Sequence, residues 1–304
     1  LKDEINNRAI LLEVEETKPK FMGLKKNGLP SGVTTGWRQF DQHFLFPPIG
    51  NLNVVTGFPG SGKSAWVDAL SVNMIKNHDW NIFSYSPESF PPEYHLQKLA
   101  EMYVGKPFEG NWNHYEVMTD QEASEAFDYL NSKITFIDTT QEYTSIKQII
   151  NSITDECMEK QVKMAILDPW NCLDDRRPTG ISKTDFISTV LEGVKTFSRK
   201  NAISFWIVAH PSKPAKLSNG KWAECTLYDI EDSRHWFGKI DNGFIVNRSW
   251  DDKLHNTESV VRIAKIKDDR YGKVGDCNFE FNRANRQFKA VDSPSRKTTD
   301  KQVF

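Results

Sequence analysis

The run Asn51-Leu52-Asn53-Val54-Val55-Thr56 has the apolar character of a buried strand. It passes directly into Gly57-Phe58-Pro59-Gly60-Ser61-Gly62-Lys63-Ser64, and then into helical spacing of Trp66, Leu70, Met74 and Ile75. A strand that turns through a glycine-rich bend into a helix constrains this chain more than any other feature. The glycines let the backbone curl without side-chain collision, and the N–H groups of the bend converge at the amino end of the helix, where an anion is stabilised. In that setting the G-x-x-x-x-G-K-S pattern is a phosphate-binding loop. Gly57, Pro59, Gly60, Ser61, Gly62, Lys63 and Ser64 are its expected contacts with ATP or another nucleoside triphosphate. Lys63 is expected to reach the terminal phosphates and Ser64 to hold Mg2+ through its hydroxyl.

Further apolar runs follow at intervals: Asn81–Ser86, Ile134–Asp138, Met164–Asp168 and Ile203–Ala209. Helical segments are expected at Pro92–Tyr103 and around 145–160 and 184–200. Strands alternating with helices predict an α/β fold with a mostly parallel central sheet flanked by helices. After Asp241 the pattern changes to Gly243–Arg248, Ser259–Lys265 and Phe279–Asn282, which predict closing antiparallel strands linked as hairpins. We divide the chain into a helical and linker segment at 1–32, ending in the breaker cluster Asn27–Gly32, a nucleotide-binding domain at 33–292, and a polar, disordered tail at 293–304.

Ligands in open α/β sheets collect at the carboxyl ends of the strands, which singles out three more residues. Asp168 ends the run Met164–Leu167 and is the expected second anchor of magnesium, although Asp before Pro169 also suits a turn. Glu88 follows Asn81–Ser86 and is the candidate for activating water, on the expectation that its strand lies beside the phosphate-loop strand. Glu93 competes, but it opens a helix, where an acidic residue needs no catalytic reason. His210 follows Ile203–Ala209 and is placed to sense the terminal phosphate.

The formal net charge of −2 gives no basic exterior, so any nucleic-acid site must be local. Cys157, Cys172, Cys225 and Cys277 are too scattered for a metal or redox motif, and we expect neither zinc nor a disulfide. The sequence contains neither a membrane-length apolar run nor a secretory signal, so the expected location is cytoplasmic. A chain that begins with Leu1 instead of Met is expected to have been processed or excised, with parts upstream.

The order of these elements resembles the RecA-like ATPase core of hexameric replicative helicases, the DnaB-like and Twinkle-like superfamily 4. The similarity runs from about Gly36 to Phe288. Its blocks are Thr56–Ser64, Tyr85–Glu88, Ile166–Asn171, Ile207–Pro211 and Asp232–Gly243, the last being the most specific. The resemblance implies that Glu88 activates water, that Asp168 serves magnesium, and that His210 couples phosphate state to DNA. It also implies a ring, as a hexamer, whose loops at about 172–183 and 212–232 face single-stranded DNA, with a primase domain or primase partner as in phage-type primase-helicases. Arg176, Arg177, Lys183, Lys213, Lys216 and Lys221 would supply the charge for backbone contacts.

Such rings set a cation from one subunit against the phosphate of the next. The family's Lys-x-Arg pattern falls on Lys265-Ile266-Lys267, with Lys where Arg is expected. Reading back from the glycines selects Arg270, which we favour for its planar fork, with Lys265 and Lys267 as helpers. Glu231-Asp232 stand where the family often has small residues. Two other functions fit the same residues: a recombinase-like or accessory ATPase that forms filaments on DNA, and a nucleotide-regulated loading module.

Overall fold

The structure, a computed structural model, describes residues 13–110, 112, 114–140, 144–173, 179–212, 224–230, 233–248 and 257–292. Its centre is a nine-stranded sheet of β1 (Asn51–Thr56), β2 (Asn81–Tyr85), β3 (Ile134–Phe136), β4 (Val162–Leu167), β5 (Ser204–Val208), β6 (Asn242–Arg248), β7 (Glu258–Lys265), β8 (Gly275–Phe281) and β9 (Phe288–Val291). The order across the sheet is β3-β2-β4-β5-β1-β6-β7-β8-β9. The strands from β3 to β6 are mutually parallel, and β6 to β9 pair antiparallel.

The helices are α1 (Lys18–Asn27), α2 (Arg38–Asp41), α3 (Lys63–His78), α4 (Pro92–Val104), α5 (Asp120–Lys133), α6 (Ile146–Lys160), α7 (Lys183–Asn201) and α8 (Ser233–Lys239). Parallel strands need crossover helices, and these cover both faces of the sheet, so the central strands are buried on both sides. Successive residues of β5 illustrate this: Trp206 and Val208 enter one core with α3, α4 and α5, whereas Phe205 and Ile207 enter the other with α6, α7 and α8. The first core is unusually aromatic. Trp66 of α3 stacks on Trp37 at 5.8 Å, and Trp206 stacks on Phe244 at 5.0 Å. Each such fully buried ring contributes about 2–3 kcal/mol.

Three expectations are corrected. First, β6 is not only a closing strand: Val54 registers with Gly243 in a parallel pair, so β6 extends the parallel sheet on one side and starts the antiparallel meander on the other. Second, β2 is not adjacent to β1, because β4 and β5 lie between them. Third, the apolar runs leave 105–133 without an element, yet α5 forms there. A capping box starts it, in which the Thr119 side chain accepts from the Glu122 N–H and the Glu122 carboxylate accepts from Thr119. The tail expected to be disordered lies outside the described residues. No helix among the described residues is long and apolar enough to cross a membrane.

Candidate functional site

The phosphate loop joins the carboxyl end of β1 to α3. Gly57 has φ 149°, and a Cβ there would lie 2.2 Å from the Val246 carbonyl of β6, so only glycine permits this approach. Gly62, the residue before α3, sits at φ 93° in the left-handed region. Ser61 Oγ is buried and finds no hydrogen-bond partner in the chain, a donor and acceptor turned into the cradle of the loop. The Lys63 ammonium is buried and donates to the Gly57 carbonyl at 2.7 Å and to that of Phe58 at 3.2 Å. Burial lowers its pKa, an effect that the charge of Asp168 opposes. Pro59 and Gly60 are exposed at the tip of the bend.

Three other strand ends converge on this loop. The Thr56 hydroxyl donates to the Ala209 carbonyl at 2.9 Å, which fixes the end of β1 against that of β5. The Asp168 N–H donates to the Tyr85 carbonyl at 2.9 Å, which fixes the end of β4 against that of β2. Asp168 is itself buried at the end of β4. Burial is the main cause that raises its pKa to about 7, and the nearby charges of Asp68 and Glu88 push the same way. A carboxylate whose charge is disfavoured in this manner is one that a divalent cation stabilises, so the cradle, Ser64 and Asp168 fit a magnesium–triphosphate.

Glu88 reaches the same region although its strand is three places from β1. A short 3₁₀ turn, Pro87–Ser89, carries it off the end of β2. Glu88 Oε1 lies 4.0 Å from His210 Nε2 and 3.9 Å from Cys172 Sγ. His210 is half-buried at the end of β5, and its Nδ1 is buried without a hydrogen-bond partner. Burial, followed by the charge of Lys63, lowers its pKa, which favours the neutral imidazole. Glu93 opens α4, as its helix-start reading expects.

Sequence reasoning misses one pair beside this cluster. His95 of α4 and Asp68 of α3 are both buried, with Nε2 and Oδ1 3.1 Å apart. Burial works against the charged imidazole, but Asp68 outweighs it and the His95 pKa is raised. The available signal is Asp68 itself, an acid among the buried Trp66, Val67, Ala69 and Leu70 of α3.

The cationic segment lies at the other edge of the sheet. Lys265 of β7 registers with Gly243, at the amino end of β6, and β6 is parallel to β1. The three cations have different partners. The Lys265 ammonium donates to the carbonyls of Phe237 and Ile240 and lies over the Phe237 ring, so it caps α8 and is not poised as a helper. Lys267 pairs with the buried Asp241 at 3.3 Å, and Asp241 also binds Lys195 and Arg199. Arg270 makes a two-pronged pair with Asp268, at 2.8 and 2.5 Å, and is half exposed. Of the residues expected to contact DNA, Arg176, Arg177, Lys213, Lys216 and Lys221 lie outside the described residues, and Lys183 is the half-buried first residue of α7.

Comparison with known proteins gives a consistent result. The DnaB-like helicase C terminal domain family model matches residues 32–290. The Twinkle homolog protein, chloroplastic/mitochondrial, of Arabidopsis thaliana is 30% identical over 276 residues, which is 89% of this chain and 38% of that protein. The chain therefore spans well under half the length of this relative. An ATPase domain of known structure superposes with a TM-score of 0.76 at 17% identity, covering 93% of this chain and 100% of that one. A DnaB-like replicative helicase, described with its interactions with primase, gives 0.71 at 17% identity, covering 94% and 68%. At that identity the two structures speak for the fold alone, a RecA-like ATPase domain. On the family match, this chain belongs to the DnaB-like helicase C-terminal domain family.

Proposed function

We propose that residues 33–292 are the ATP-driven motor of a ring-shaped helicase that moves along single-stranded DNA and opens duplex during replication. One observation carries this reading: the phosphate loop, Ser64, Asp168, Glu88 and His210 meet at one edge of the sheet, while Lys267 and Arg270 lie at the opposite edge. A cation there is directed away from the nucleotide site of its own chain. It suits a transition state in a neighbouring subunit, and so a site completed by assembly.

The parts have distinct tasks. The loop amides, Ser61 and Lys63 bind the phosphates, and Ser64 and Asp168 hold magnesium, which when bound neutralises charge on the phosphate oxygens. Glu88 orients the attacking water and accepts its proton at a carboxylate oxygen. His210 contacts Glu88 and leads directly into the 212–232 segment, which couples the state of the site to DNA. Phe21, Met22 and Leu24 of α1 are exposed, and no residue of that helix is buried. Their apolar surface favours packing on a neighbouring subunit of the ring, and a primase domain or partner is part of the same reading. The purified oligomer should hydrolyse ATP faster with single-stranded DNA and open a forked duplex. Failure of both sinks the proposal, and open filaments in electron micrographs would replace it with the recombinase-like reading.

A further inference from the structure

The Asp68–His95 pair lies outside every role assigned above, and its position is informative. Asp68 stands four residues after Ser64 on α3, so the two side chains share a helix face one turn apart. Helical side chains lean toward the amino end of their helix, so Asp68 leans toward Ser64, the hydroxyl placed to hold magnesium. Asp68 and Asp168 are both buried. His95 Nε2 engages only Oδ1 of Asp68, and among the described residues no hydrogen bond reaches Oδ2. The Asp68 side chain keeps 13% of its exposure, whereas that of His95 keeps 3%.

His95 is itself held firmly. Its ring packs on Phe136 at the end of β3, with centroids 5.3 Å apart. It belongs to the first turn of α4, the helix entered from the Glu88 turn. α3 and α4 both run away from the site, and two polar contacts join them: Asp68–His95 near the site, and the Lys76 ammonium on the Tyr103 carbonyl, 2.7 Å long, at the far end. The near contact thus ties the magnesium end of α3 to the segment that carries Glu88.

We propose that Asp68, held through Oδ1 by His95, is a positioning residue for the magnesium site, its free Oδ2 accepting a hydrogen bond from a water of the ion held by Ser64 and Asp168. The inference rests on the proposed nucleotide site. His95 acts one step further out: it fixes the carboxylate and registers α4, and hence Glu88, against α3. Partners of this kind orient metal-site groups without touching the ion.

The experiment is a Mg2+ titration of fluorescent ATP-analogue binding to the purified full chain, for wild type, D68N and D68E. D68N should raise the Mg2+ midpoint about tenfold, in the range found for outer partners of metal sites. Analogue binding without Mg2+ should stay unchanged, and D68E should recover part of the loss. An unchanged midpoint in folded D68N overturns the inference. If D68N does not fold, H95N is titrated instead, since its shorter amide releases Asp68 and leaves the carboxylate in place; an unchanged midpoint there is equally fatal. A wild type that binds no analogue even with Mg2+ would refute the nucleotide site itself, a distinguishable result.

Discussion

Glu88 Oε1 and His210 Nε2 stand 4.0 Å apart although their strands, β2 and β5, are separated by β4. Neither residue is buried deeply enough to be a core pair, so the approach is made by the two loops leaving the sheet. In the proposed motor, Glu88 serves the chemistry and His210 its control.

The E88Q variant keeps the shape of the side chain and removes its basicity. Its ATP turnover should fall about 10²–10⁴-fold, the usual worth of a positioned acid–base group. Nucleotide affinity, measured by fluorescent-analogue titration, should be retained. Turnover equal to wild type would remove Glu88 from its role.

For His210 the expected signature is different. A neutral imidazole beside Glu88, at the root of the 212–232 segment, should transmit and not catalyse. H210A is expected to keep basal ATP turnover and to lose its stimulation by single-stranded DNA. Equal loss of both rates would make His210 part of the hydrolytic machinery.

Gly57 offers a steric test of the phosphate loop. At φ 149° with the Val246 carbonyl 2.2 Å from any added Cβ, G57A must displace backbone, since that carbonyl is main chain and cannot rotate away. Strain of about 1–3 kcal/mol at such a position corresponds to a loss of about fivefold to 150-fold in nucleotide affinity. Calorimetric titration with ATP measures it, and unchanged affinity would mean that the loop is not held against β6.

How much of this was legible in advance depended on range. The phosphate loop is a contiguous motif with local causes, and Asp168 and His210 could be placed because each ends a run of apolar residues. Its position after an apolar run marks Glu88 as a strand end, but the sequence reading sets that strand beside β1, whereas β4 and β5 lie between. The order β2-β4-β5-β1 is decided by which crossover helices pack on which face, and residue spacing does not encode that. Asp68 and His95 are 27 positions apart and become a pair only when α3 and α4 pack. Lys265 matched a family pattern, yet the backbone carbonyls ending α8 lie within its reach and engage it.

Asp241 gives the pH dependence. Burial disfavours its charge, but hydrogen bonds from Lys195 and the Leu52 amide, with the charges of Lys195 and Arg199, outweigh burial and lower its pKa. A depressed carboxylate pKa contributes stability that is present above the unfolded value, about 3.9, and is lost as pH falls through the folded one. D241N leaves Lys195 without its buried partner and should cost about 3 kcal/mol at pH 7 in urea denaturation followed by tryptophan fluorescence. The gap between wild type and D241N should start to close as pH drops below about 4 and vanish below the lowered folded pKa. A gap independent of pH would show that the carboxylate charge is not what stabilises this corner.

The cation supplied across the interface is open to a direct contest between Arg270 and Lys267. Lys267 is tethered to Asp241, which two other cations share, whereas among the described residues the ion-pair partner of Arg270 is Asp268, two positions before it, which it can exchange without disturbing the core. A planar guanidinium also matches phosphate oxygens two at a time. R270A should therefore reduce turnover by about 10³–10⁵, the range for a trans-acting arginine, with nucleotide binding intact. K267A should lose much less. Because the cation and the phosphate loop of one chain lie at opposite sheet edges, mixing R270A with K63A subunits should restore single-turnover hydrolysis. In the mixed interfaces the K63A chain lends Arg270 to the intact loop of its neighbour. Neither variant should hydrolyse ATP alone, and no recovery on mixing would mean that the cation does not act between subunits.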